Sequence, residues 1–213
     1  GESYGAGEND PGTSLAIAKK VTDAGFGVLM NFHYSDFWAD PGKQIKPKAW
    51  EHYSVEELEK AVYDFTLSTM RTYLENGVNV TMVQVGNELS NGLLWPDGKV
   101  PAYDNIARFV NAGIRAVRRA DAERLEGRFL CRCQVDGREL DKIPVMLHLD
   151  NGGNNALYRE WFDNFVKRGE DFEIIGLSYY PFWHGTLQML TDNMNDIAER
   201  FGKDLIVAEV SMG

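Results

Sequence analysis

Val80-Thr81-Met82-Val83-Gln84-Val85-Gly86-Asn87-Glu88-Leu89 is the stretch that decides how this chain reads. The run from Val80 to Val85 has the length and apolar content of a buried parallel strand, and Gly86 breaks it just before a carboxylate. Far downstream a similar run, Leu205-Ile206-Val207-Ala208, is followed at once by Glu209. Two glutamates thus stand at the C-terminal ends of two buried-looking strands, where barrel enzymes carry their chemistry. Carboxylates converging from different strand ends suit cleavage of a glycosidic bond: one protonates the leaving oxygen while the other attacks the sugar or activates water. The plainer alternative, in which each glutamate merely caps the next segment, leaves the pairing unexplained.

Strands alternate with helices along the rest of the chain, the pattern of parallel βαβ units. Strands are expected at 27–33, 80–86, 143–149, 172–179 and 204–209, and helices near 13–24, 103–119, 156–168 and 187–201. One further helix opens at Ser54-Val55-Glu56-Glu57, which has capping-box spacing, and closes at Asn76-Gly77; Gly25, Gly169 and Gly202 read as stops for three of the others. An eightfold barrel takes about 250 residues. Five strands, with a helix first and a strand last, therefore read as strands three to seven of a (β/α)8 TIM barrel: one catalytic domain over residues 1–213, truncated at both ends. An open doubly wound sheet is the rival. It would carry a Gly-rich phosphate loop after a strand, and Gly5-Ala6-Gly7 follows none. An unclosed five-strand sheet on its own is expected to be unstable and inactive.

Composition narrows the partners. A net charge of −10 with no basic stripe argues against nucleic acid, and no apolar stretch approaches membrane-spanning length. Cys131 and Cys133 read as ordinary reduced thiols in a surface insertion, poorly spaced for a mutual disulfide. His33, His52, His148 and His184 fall in no H-x-x-x-H or H-E-x-x-H pattern, so no metal site is expected. Gly176-Leu177-Ser178 lacks the later glycine of a nucleophile elbow. The sequon Asn79-Val80-Thr81 enters a strand and reads as incidental.

Segments following the strands are dense in aromatic and polar groups, as a sugar cleft requires. After the first strand come His33, Asp36, Phe37, Trp38 and Asp40, offering a flat stacking surface and hydroxyl partners. Asn87, Asn91 and Trp95 flank Glu88; Asp150 to Asn154 follow the third strand; Tyr179, Tyr180, Trp183 and His184 follow the fourth.

Four blocks together closely resemble glycoside hydrolase family 53, the arabinogalactan endo-β-1,4-galactanases: His33 to Gln44, Val85 to Glu88 with Asn91 to Pro96, Met146 to Asp150, and Gly176 to Thr186. The resemblance runs from about Tyr4 to Glu209. It implies a retaining barrel enzyme with Glu88 as acid/base, Glu209 as nucleophile and Asn87 holding the sugar 2-hydroxyl. Trp38, His33 and Tyr179 or Tyr180 would line its cleft. A secreted, monomeric full-length enzyme acting on a polysaccharide without a cofactor is the corresponding expectation; bacterial members of the family place a calcium in loops beyond this stretch, so a calcium site belongs at most to a longer parent. Another glycanase of the same clan, acting on mannan or xylan, and a non-catalytic carbohydrate-binding protein are the alternatives. Three departures from the family stand out. The strand-two arginine and the strand-eight tryptophan usual in this clan belong to strands outside the expected span of three to seven. Two more lie within the chain. Residues 124–142 form a longer approach to their strand than is usual, and Val210-Ser211-Met212-Gly213 does not continue in the usual way.

Overall fold

The computed structural model describes residues 10–131 and 133–211; Gly5-Ala6-Gly7 and the last two residues of Val210 to Gly213 lie outside that range. Five parallel strands, β1 (Val28–Phe32), β2 (Val80–Val85), β3 (Val145–Leu149), β4 (Ile174–Tyr179) and β5 (Asp204–Val210), form one sheet whose spatial order is the chain order. A helix precedes each strand: α1 (Pro11–Asp23), α2 (Val55–Glu75), α3 (Tyr103–Leu125), α4 (Asn155–Phe165) and α5 (Leu187–Phe201). A parallel sheet built in sequence order is barrel-type winding, since a doubly wound sheet reverses direction at its switch point. The described residues are thus five consecutive helix–strand pairs of a partial (β/α)8 barrel.

Local chemistry sets the helix ends. Ser54 and Glu57 close a reciprocal capping box at α2, each side chain meeting the other's backbone N–H. Asp10 caps α1 through Gly12 and Thr13, and Pro11 at the first helical position starts that helix two residues earlier than its apolar pattern indicates. Helix α3 runs six residues past the expected Arg119 because its last turns are buried: Asp121 and Arg124 pair inside the fold. Helix α4 stops at Phe165, short of Gly169. That glycine is not a left-handed cap; it makes room for the Phe165 ring, whose Cε1 would lie 2.4 Å from an added Cβ.

The core lies between the sheet and the helices. On β1, Met30 and Phe32 are buried toward the helices, while Leu29 and Asn31 point to the opposite, open face. Trp161, Phe162, Phe165 and Phe172 stack in one aromatic cluster under α4, each such burial stabilising the fold by about 1.5–3 kcal/mol. Helices α2 and α3 are joined by ion pairs, with the Glu123 carboxylate fully buried among Arg71, Arg119 and Arg128. No helix among the described residues is long and apolar enough to cross a membrane.

Residues 126–142 carry a small hairpin, Gln134–Val135 against Arg138–Glu139, pinned to the sheet from below. Asn79 holds it through two bonds to the Gln134 backbone, so the sequon asparagine is spent inside the fold. The two cysteines are not surface thiols. Both are buried, their sulfurs 2.9 Å apart without a disulfide, and Cys131 donates to the Val78 carbonyl. Non-local packing against the entry to β2 covers them.

Candidate active site

Glu88 leaves β2 through an unusual backbone. Gly86 has φ 81° and Glu88 itself sits in the left-handed region at φ 47°, before a single turn of tight helix, Leu89–Asn91. A side chain at Gly86 would come within 2.5 Å of Leu89. The strained corner is braced from the loop after β1, where Gln44 donates to the carbonyls of Asn87 at 2.6 Å and Glu88 at 3.2 Å. Glu209 reaches the same mouth from β5. A register irregularity after Leu177 leaves Ser178 opposite Glu209, so Ala208 is skipped in the pairing and the glutamate is re-aimed.

Glu88, His148 and Glu209 each offer an atom within 4.8 Å of the others. One oxygen of each carboxylate thus lies within 4.8 Å of the other, nearer the roughly 5–5.5 Å separation of retaining pairs than the roughly 6.5–9.5 Å that leaves room for a water. A compact trio can also suit a cation, but here both ring nitrogens of His148 face neighbours: Nε2 meets Ser178 Oγ at 2.9 Å, and Nδ1 meets Gln84 Nε2 at 3.2 Å.

Glu88 is buried, and desolvation raises its pKa to about 7, with the negative charges of Glu209, Asp150 and Asp40 adding to the rise. Ser178 opposes them by donating to Glu88 Oε1 at 2.7 Å. Glu209 is more open and accepts from the Tyr180 hydroxyl at 2.7 Å. One of the two carboxyl groups is therefore suited to hold a proton near neutrality.

Around this pair the expected residues divide. Trp38 is 62% exposed and stands edge-on to His33, ring centroids 5.8 Å apart, so it is a surface platform rather than a core residue. His33 accepts from the Ala39 N–H at Nδ1, and burial lowers its pKa to about 4. Trp183 is 82% exposed on the loop after β4, and His184 folds back on Tyr180 with centroids 5.0 Å apart. Asn87 is buried; its carbonyl accepts from Asn31 and Gln84, and one amide proton goes to the Ala39 carbonyl.

Four expected residues are engaged in holding loops. Tyr179 is buried, its hydroxyl donating to the Gly185 carbonyl, because successive strand residues face opposite ways and Tyr180 takes the cleft side. Asp36 accepts from the Lys48 N–H, Asn91 donates to the Pro41 carbonyl and Trp95 donates to the Asn91 carbonyl. Conversely, Gln84 belongs to the site without having been singled out, and His148 and Ser178 belong to it in another role than the metal ligand and nucleophile weighed for them, while Asp150 lies where its strand end places it. Their signal in the sequence is a polar side chain inside, or at the end of, an otherwise apolar strand.

The profile of glycosyl hydrolase family 53 matches residues 1–213. The chain belongs to that family. This family 53 chain is 43% identical over 206 residues to a Niallia circulans protein described as an uncharacterized protein in the bgaB 5′ region, covering 93% of this chain and 51% of the relative. It is 36% identical to the endo-β-1,4-galactanase of Bacillus subtilis strain 168, covering 99% of this chain and 44% of that one. Among solved structures, one from a study of two fungal β-1,4-galactanases aligns with TM-score 0.82 at 33% identity, over 96% of this chain and 58% of its own. The Ignisphaera aggregans family 53 catalytic domain aligns with TM-score 0.82 at 35% identity, over 94% and 50%. The family 53 chain thus spans about half the length of the curated relatives it matches.

Proposed function

We propose that the intact protein is an endo-acting, retaining glycoside hydrolase that cleaves β-1,4-galactosidic bonds in galactan and arabinogalactan. The observation that carries this reading is the approach of the Glu88 and Glu209 carboxylates to within 4.8 Å at the mouth of a family 53 barrel. Glu209 attacks the anomeric carbon as the bond to the leaving oxygen breaks, and that oxygen takes the proton of Glu88. Water then adds to the anomeric carbon, its proton passes to Glu88, and the bond to Glu209 breaks. A pKa near 7 on Glu88 suits both half-reactions, since the group must give a proton in one and take it back in the next.

In this scheme Tyr180 orients Glu209, Asn87 offers its remaining amide proton to the sugar 2-hydroxyl, and Trp38, His33, Trp183 and His184 line the sugar path. Carboxylates carry every step, so no cofactor is required. Relatives named endo-β-1,4-galactanase support the choice of galactan over other glycans. A polymeric substrate too large to cross a membrane fits action outside the cell, and the full-length enzyme is proposed to act as a monomer. Reducing-sugar release from linear β-1,4-galactan by the full-length protein tests the reading, with Glu209→Gln and Glu88→Ala as controls. Release abolished by either change is expected. Release from xylan or mannan instead would move the substrate, and binding of galactan without any product would make the protein a lectin-like binder.

A further inference from the structure

Behind Glu88 lie a buried imidazole and a buried hydroxyl that the double displacement does not use. His148 and Ser178 are both fully buried, on adjacent strands β3 and β4. A continuous line of polar atoms joins them to the carboxylate: Glu88 Oε1 to Ser178 Oγ at 2.7 Å, Ser178 Oγ to His148 Nε2 at 2.9 Å, and His148 Nδ1 to Gln84 Nε2 at 3.2 Å.

The direction of every bond in that line follows from what each atom can do. An ionised Glu88 only accepts, so Ser178 gives it its single proton. The Ser178 oxygen must then accept from behind, which places the His148 proton on Nε2. Nδ1, left bare, can only accept, and the donor beside it is Gln84 Nε2 at 3.2 Å, whose two protons are shared with the Gly86 carbonyl and Asn87 Oδ1; the Asn87 Oδ1 that lies 3.3 Å from Nδ1 has no proton to offer it. Burial keeps this imidazole neutral, so the line ends in a dipole rather than a cation. With Oε1 held by Ser178, the other oxygen of Glu88 is the one free to carry the transferable proton.

We propose that Ser178 and His148 are positioning residues for Glu88: they fix which of its oxygens carries the proton and favour its ionised form in the half-reaction that deprotonates water. The proposal rests on the hydrolase reading given above. Glu88 is faced by Asp40 from the loop after β1, Asp150 after β3, and Glu209 and Tyr180 across the mouth, with His33 toward His148 and Tyr158 behind Asp150. The three carboxylates push Glu88 toward its neutral form, and Ser178 is the neighbour that favours the charge.

The test uses full-length protein. In Ser178→Ala, the basic limb of the kcat/KM profile moves up by about 1–2 pH units, the worth of one hydrogen bond to a charged acceptor. A profile that only drops in height, without moving, would assign the pair a merely structural role and overturn the proposal. Two measurements need no turnover. Nitrogen-15 NMR of wild-type protein at pH 8 should find the His148 proton on Nε2, and a carbon-13 titration of Glu88 should rise in Ser178→Ala. A proton on Nδ1, or an unmoved titration, sinks the relay even if galactan is cleaved. The expected NMR results in a protein that cleaves no galactan would sustain the relay while removing the substrate assignment. Should Ser178→Ala fail to fold, the wild-type tautomer still decides.

Discussion

The phenolic oxygen of Tyr180 stands 2.7 Å from Oε2 of Glu209, joining the ends of the neighbouring strands β4 and β5 at the cleft. Tyr180 takes this position because it alternates with Tyr179, whose own hydroxyl is buried on Gly185. A donor to a carboxylate contributes about 1.5–3 kcal/mol. If that contribution is realised in orienting the nucleophile, Tyr180→Phe lowers kcat/KM by about 10- to 150-fold with the melting temperature little changed. Steady-state kinetics on galactan beside thermal unfolding checks both halves, and unchanged kcat/KM would remove Tyr180 from the machinery.

Glu88 links activity to stability through pH. Its folded-state pKa is about 7 against an ordinary 4.5, chiefly because burial penalises the charge. Between those values the folded protein holds more protons than the unfolded chain, so stability falls as pH rises through that window. The penalty is absent below about pH 4.5 and reaches about 3 kcal/mol above pH 7. Glu88→Gln should therefore be more resistant to urea than wild type at pH 8 and converge with it at pH 4, while losing nearly all turnover. Equal resistance at both pH values would mean that Glu88 is not desolvated. In the wild type, kcat/KM should fall above about pH 7 as the acid loses its proton.

Trp38 offers its indole to solvent, steadied by the edge of His33. A sugar ring laid on that face gains about 0.5–1.5 kcal/mol beyond the area it buries. Trp38→Ala should raise KM about 3- to 10-fold and leave kcat within about twofold, because binding would be lost equally from the ground and transition states. A fall in kcat at unchanged KM would place Trp38 beside the reacting bond instead.

Much of this architecture is legible in local chemistry. The capping box at Ser54, the apolar runs ending at Val85 and Ala208 and the stop at Gly202 each act within a few residues, so β2, β5 and the ends of α2 and α5 are visible in the sequence. Glu88 and Glu209 are visible for the same reason: a carboxylate at the end of a buried strand is conspicuous. What does not show is non-local. Asp36, Asn91 and Trp95 stand in the sequence as sugar contacts, and only the fold shows that each also holds a loop, through Lys48, Pro41 and the Asn91 carbonyl. His148 lies between two leucines and Ser178 between Leu177 and Tyr179, so each reads as strand filler until β3 and β4 bring them together. A strand period of two, applied to polar positions as well as apolar ones, separates Tyr180 and Ser178 from Tyr179.

The sheet itself supplies the last prediction. Among the described residues β1 and β5 each pair on one side only, and at β1 the face away from the helices is uncovered, leaving Leu29 45% exposed and Asn31 exposed, whereas β3 and β4 are buried on both faces. Two unpaired strand edges, one of them carrying an exposed leucine, are templates for association. Residues 1–213 produced alone should therefore self-associate at micromolar concentration, bind a hydrophobic dye and release no measurable sugar from galactan, although Glu88 and Glu209 are both present. Size-exclusion chromatography with light scattering reads the first outcome directly. A monodisperse monomer with turnover would show that five strands and their helices suffice for this site, and that the two free strand edges are tolerated without closure of the barrel.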